Sequence, residues 1–99
     1  YGSVAPHNPL GPISLASCIQ LDASIPNFLI QEHPGNADKS DLGVGYIKEP
    51  FVIKNGYIDV PTKPGLGVEL DEEALKDKLY DGKWTTPRQY YEDGSNADW

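Results

Sequence analysis

Pro6, Pro9 and Pro12, three prolines at three-residue spacing, set the tightest limit on how this chain folds. Each fixes φ and removes a backbone donor, so no helix or strand can run through 6–12. Val4 and Ala5 ahead of them are apolar and suit a buried strand. Pro12 stands just before an apolar-periodic run, and proline is welcome in the first turn of a helix. The stretch therefore reads as a strand end, a rigid turn and a helix start. His7 falls at the C-terminal lip of that strand. Polar residues at strand C-termini are where α/β barrels and open α/β sheets build their sites.

The periodicity predicts a helix from Ile13 to about Ser24. Leu15, Ala16, Ile19 and Ala23 share one face, with Cys18 at its margin. Asp22 lies near the middle of that apolar arc, either facing solvent at the helix end or pairing with a group outside the chain. Pro26-Asn27 ends the helix. Phe28-Leu29-Ile30-Gln31 is a continuously apolar strand of the kind a parallel sheet buries, and Glu32 closes it. Strand, helix and strand within this span form a minimal βαβ unit. Its right-handed crossover makes the strands parallel and sets His7 and Glu32 at one sheet edge. A histidine and a carboxylate at one mouth suit proton abstraction with an electrophilic partner.

Beyond Glu32 the texture changes. Residues 33–41 (HPGNADKSD) form a polar loop, in which His33 reads as solvated. Asp38 and Asp41 read as solvated loop acids rather than cation ligands. Asn55-Gly56 between Phe51-Val52-Ile53-Lys54 and Tyr57-Ile58-Asp59-Val60 predicts a hairpin, since a type I′ turn needs positive φ at both centres. The glycines of Gly43-Val44-Gly45 and Gly65-Leu66-Gly67 serve backbone permissiveness, not phosphate binding. Asp71 caps a short helix over Glu72–Leu79, and Gly82 stops it. Residues 83–99 carry aromatics without a clear period, and these are expected to pack against something outside the chain.

The net charge of −7 over 99 residues leaves no basic patch for nucleic acid or an anionic membrane. No apolar stretch approaches the roughly 18 residues that cross a bilayer. The single Cys18 allows no internal disulfide, which fits a reducing cytoplasm. An apolar fraction of 38%, with Gly 10 and Pro 9, gives a thin core. The abrupt start at Tyr1-Gly2 adds to the expectation of a piece of a larger protein.

The run Ala5-Pro6-His7-Asn8-Pro9-Leu10-Gly11-Pro12, followed by Gln31-Glu32, resembles the end of an enolase-superfamily barrel of the mandelate racemase subgroup. Lys63-Pro64-Gly65-Leu66-Gly67-Val68-Glu69, then Tyr91-Glu92-Asp93-Gly94-Ser95 and the closing Asp98-Trp99, is most similar to the superfamily's sugar-acid dehydratases, which act on galactonate and related aldonates. The resemblance runs over essentially the whole chain. It implies an α/β fold: the C-terminal portion of a modified (β/α)7β TIM-type barrel with an α+β capping domain. Residues 1–32 would be the last βαβ unit, with Gly2–His7 as the seventh strand and Phe28–Glu32 as the eighth. Residues 33–99 would return as loop, hairpin and short helix toward the capping domain.

That resemblance also implies Mg²⁺-dependent abstraction of the proton beside a carboxylate, then β-elimination of water to a 2-keto-3-deoxy acid. His7 carries over as the general base. Glu32 carries over as a group that hydrogen-bonds the substrate carboxylate or enediolate, a task that requires it protonated. The acidic Mg²⁺ ligands belong to middle barrel strands and the aspartate orienting the base to the sixth, all outside the chain. The 99 residues alone would then be inactive. The implied partners are a small sugar acid, the remaining barrel and capping domain, and further copies in a homo-oligomer. A racemase or epimerase of the same superfamily, and a stand-alone acidic binding module, are the alternative readings.

Overall fold

The computed structural model describes residues 1–85 and 88–97. Asp98 and Trp99, which close the tail motif, lie outside the described residues, as do Thr86 and Pro87. The one long element is helix α1, Pro12–Ser24, as the proline spacing predicts. Gly11 is its extended N-cap, Pro12 occupies the first turn, and the Leu15 N–H reaches the Gly11 carbonyl at 3.1 Å. Pro26 forces the preceding Ile25 into extended backbone, so the helix stops at Ser24.

The face α1 buries carries Pro12, Leu15, Ala16 and Ile19. Ala23, expected on that face, is exposed, because it lines an open apolar groove instead. Leu15, Ala16 and Ile19 meet Leu42, Ile47 and Phe51 in a small core, with Ile58 and Val68 packed on its rim. A helix of this length is marginal without a packed face. Its partner is the 3₁₀ turn Ser40–Leu42, which docks directly against it. The polar loop 33–41 thus leads directly into Leu42, which reaches the core.

The two predicted strands are present as extended segments joined at one parallel bridge, Val4 to Phe28. The Val4 N–H donates to the Asn27 carbonyl at 2.9 Å, and the Leu29 N–H donates to the Val4 carbonyl at 2.9 Å. The expected burial of the second strand is not realised within this chain. Phe28, Leu29 and Ile30 are 41%, 66% and 63% exposed. A continuously apolar strand needs cover on both faces, and α1 covers at most one.

The predicted hairpin forms its turn but little else. Asn55 and Gly56 take φ of 52° and 82°, as a type I′ turn requires, and Lys54 pairs with Tyr57. A second antiparallel bridge, Ile47 to Leu70, ties the middle of the chain to the segment before the next helix. Lys48 and Glu69 add an ion pair beside it. Helix α2 spans only Glu72–Leu75, with the Asp71 carboxylate accepting from the Ala74 N–H at 3.0 Å. The chain then tightens to 3₁₀ geometry over Lys76–Lys78, so the predicted helix to Leu79 stops early. No residue of α2 is buried, and nothing rewards further turns. Lys78 pins this end by donating to the Gly45 carbonyl at 2.7 Å and lying 4.2 Å from the Tyr46 ring centroid.

The tail holds a hairpin that the aromatic pattern hid. Strands β1 (Gln89–Tyr90) and β2 (Asn96–Ala97) pair antiparallel. Asp93-Gly94 between them was the available signal. Gly94 has a φ of 82°, and the Asp93 carboxylate accepts from the Ser95 N–H and hydroxyl. Trp84, Tyr90 and Tyr91 are exposed.

Gly43 shows most sharply why glycine is needed. Its φ is 98°, and a Cβ there would lie 2.5 Å from Ile47 Cγ1 in the core. Gly56 has φ of 82° with nothing within 4 Å. Gly56→Ala is expected to cost about 1–2 kcal/mol from backbone strain. Gly43→Ala is expected to cost more, because Ile47 must also move. Urea denaturation of both variants measures the difference, and equal costs would refute the role of Ile47.

Candidate active site

The parallel bridge at Val4 and Phe28 sets the two chain segments in register, so their C-terminal ends arrive together. His7 Nδ1 lies 2.8 Å from Glu32 Oε2. The same oxygen accepts the Asn8 backbone N–H at 2.7 Å. Asn8 Nδ2 donates to the Glu32 carbonyl at 3.4 Å, and Gln31 Nε2 donates to the Pro6 carbonyl at 3.3 Å. The turn 6–8 and the strand end 31–32 are thus laced by backbone and side-chain bonds. The convergence expected of His7 and Glu32 is what the geometry contains.

Asn8 is the residue the sequence reading missed. It is fully buried, and its Oδ1 has no hydrogen-bond partner among the described residues. An asparagine between a histidine and a proline gave no period to follow. Its position inside a turn locked by Pro6 and Pro9 was the only hint.

The electrostatics follow from these contacts. The Asn8 amide holds the Glu32 carboxyl below the usual carboxylate range. Desolvation opposes that shift, and the His7 ring reinforces it. Within this chain these contacts favour the ionised form of Glu32. The physical reason is that Asn8 N–H and the His7 ring both present donors to one oxygen. An ionised acceptor at Nδ1 selects the Nδ1–H tautomer of His7 and leaves Nε2 with its lone pair. The His7 side chain is 81% exposed in this chain.

His33 and Asp41 also depart from expectation. Both read as solvated, yet His33 Nδ1 lies 2.6 Å from Asp41 Oδ2, and Asp41 is 2% exposed. The Gly35 N–H adds a bond to the same oxygen at 3.1 Å. Burial pushes the Asp41 carboxyl up, but these donors outweigh it and the net direction is down. A buried carboxylate needs hydrogen-bond donors, and the polar loop folds back on itself to supply them. Asp38 instead accepts from the Ser40 N–H, as a turn residue does. Asp22 is half-buried with Oδ1 unpartnered among the described residues, and burial raises its carboxyl.

An apolar groove of about 770 Å³ lies between α1, Phe28–Ile30 and the Asn55-Gly56 turn. It includes Asp22 and His33 in its lining but neither His7 nor Glu32. Among the described residues no three His, Cys, Asp or Glu side chains come together as a metal site. No described helix is long and apolar enough to cross a membrane.

Residues 2–74 match the family described as enolase C-terminal domain-like. The chain belongs to that family. Known relatives agree with the match over nearly the whole enolase C-terminal domain-like segment and its tail. The chain is 38% identical to D-galactonate dehydratase of Pectobacterium atrosepticum, across 98% of its own length and 27% of the relative's. It is 39% identical to D-galactonate dehydratase of Verminephrobacter eiseniae, with the same coverage. A solved enolase from Agrobacterium radiobacter, with sodium and L-malate bound, superposes with a TM-score of 0.70 at 29% identity, over 95% of this chain and 27% of that one. The chain thus spans about a quarter of the length of these relatives.

The buried Asp41 generates a test of the loop. Its folded value is depressed, so the stability from its ionised form is complete above the ordinary value of 3.8 and is lost as pH falls through the folded value. Asp41→Asn lacks this titration and is expected to cost about 1–3 kcal/mol near neutrality. The gap to wild type should shrink only below the ordinary carboxylate range. Urea denaturation across a pH series measures it, and a gap constant through the acid range would contradict the pairing.

Proposed function

We propose that this chain is the C-terminal quarter of a sugar-acid dehydratase, acting on an aldonate such as galactonate. In this reading the enzyme removes the proton beside the substrate carboxylate and eliminates water to give a 2-keto-3-deoxy acid. The observation that carries it is the His7–Glu32–Asn8 constellation at the meeting point of two parallel segments. The names of the relatives, and family membership over 2–74, support the reaction class.

His7 serves as the general base through Nε2, and Glu32, which contacts its other nitrogen, helps the aspartate that the resemblance places on the sixth strand to hold the ring. A histidine oriented by a carboxylate is the arrangement such proton transfers use. Glu32 also stabilises the imidazolium that forms when His7 takes the proton. The Asn8 N–H fixes Glu32 in turn, so two consecutive contacts aim one lone pair. The role expected from the family resemblance, a hydrogen bond from Glu32 to the substrate carboxylate, requires a protonated acid. Within this chain the Glu32 carboxylate also faces the His7 ring, so both tasks stand in the proposal.

Mg²⁺ is the cofactor the resemblance implies. The resemblance places its acidic ligands on middle barrel strands outside the chain, and no step here is drawn through it. The bare faces of Phe28, Leu29 and Ile30 support a closed (β/α)7β barrel in which other strands and helices cover them. Residues 1–32 then form the last βαβ unit, and 33–99 return toward a capping domain. Assembly into a homo-oligomer belongs to the same reading.

The test is turnover of the full-length enzyme on a panel of aldonates with Mg²⁺, read as 2-keto-3-deoxy acid formed. His7→Asn is expected to lower kcat by about 10²–10⁴-fold. Glu32→Leu should lose most of the turnover as well, with folding intact by circular dichroism. Wild-type-like rates in either variant would refute the corresponding assignment.

A further inference from the structure

We propose that His33 and Asp41 form a positioning pair that holds Glu32 at its contact with His7 and Asn8. The proposal rests on the site described above and extends it to a pair that does not touch the reacting groups. Its basis is how little else restrains Glu32. The last backbone ladder bond on this strand is Leu29 N–H to the Val4 carbonyl. From Ile30 to Gly35 no backbone–backbone hydrogen bond holds the chain among the described residues. Apart from the contacts of its carboxylate, the upstream restraints are side-chain bonds, Gln31 to the Pro6 and Glu32 carbonyls and Asn8 to the Glu32 carbonyl. Downstream the first restraint is the very next residue, His33, bonded to Asp41 at 2.6 Å.

Asp41 is a firm anchor. It sits in the Ser40–Leu42 turn, whose Leu42 is in the core and whose Leu42 carbonyl accepts the Phe51 N–H at 2.8 Å. One oxygen of Asp41 collects both the His33 ring and the Gly35 N–H, which closes the loop directly behind Glu32. Glu32 is thus strung between the 6–8 turn and the α1-packed core. Its carboxylate has to reach the Asn8 N–H and the His7 ring together, and displacement of the backbone by about 1 Å is enough to lose a bond of that kind or about a hundredfold in rate. A loop held only for compactness would not need its anchor on the residue adjacent to the site.

The experiment uses the full-length protein and reads the Glu32 side-chain carboxyl by ¹³C NMR titration, assigned by its absence in Glu32→Gln. In His33→Ala the midpoint of Glu32 is expected to rise toward the ordinary carboxylate value, because its donors are no longer held in place. His33→Asn should restore the midpoint, since the amide can donate to Asp41 from the position of Nδ1. kcat should follow, about tenfold lower in the alanine variant with KM little changed, and recovered in the asparagine variant. If His33→Ala does not fold, Asp41→Asn takes its place, with the same rise expected from its weaker acceptor. An unmoved Glu32 midpoint in a folded variant of either residue overturns the proposal. A protein that turns over no sugar acid refutes the proposed function instead, while the Glu32 titration still decides the positioning.

Discussion

Two hydrogen bonds on Val4, one to Asn27 and one from Leu29, hold the two ends of this chain's first unit parallel. Everything at the site depends on that register. A slip by one residue would turn each side chain to the opposite face, and His7 would no longer meet Glu32. The register is itself imposed from outside the strands. Pro12 starts α1, Pro26 ends it, and the buried Leu15, Ala16 and Ile19 press the helix onto the turn at Ser40–Leu42. The crossover length between Val4 and Phe28 is therefore set by prolines and closed by a small apolar core.

At the strand ends the governing physics is electrostatic. One oxygen of Glu32 accepts a backbone N–H and faces a histidine nitrogen. These contacts favour the ionised form of Glu32. The second pair, His33 and Asp41, obeys the same rule in a buried setting. There a carboxylate almost out of water is kept ionised by two donors, and the loop after the site closes around it. Two histidine–carboxylate pairs, one open and one buried, thus flank the Glu32-His33 peptide.

The apolar distribution explains why membership in a large barrel family sits well with this chain. Six residues make up its buried hydrophobic core, while Phe28, Leu29 and Ile30 stay exposed along a groove. An apolar strand open on its edge and one face is unfavourable for a free-standing domain. It suits a unit whose neighbours supply the cover, in keeping with relatives of which this chain spans about a quarter.

Much of this was legible in the residues themselves. Proline spacing located the turn and both ends of α1, Asn55-Gly56 located a turn, and the βαβ pattern brought His7 and Glu32 to one edge, because φ restriction, positive-φ preference and periodicity are properties of short stretches. What only the tertiary structure decided was contact between residues far apart or without a pattern. The pairing of Asp41 with His33, the place of Asn8 beside Glu32 and the lowered carboxyl of Glu32 arise from burial, in the case of Asp41 and Asn8, and from donors converging in space. Neither is a function of any one segment, so a reading by composition and period took His33 and Asp41 for solvated loop residues.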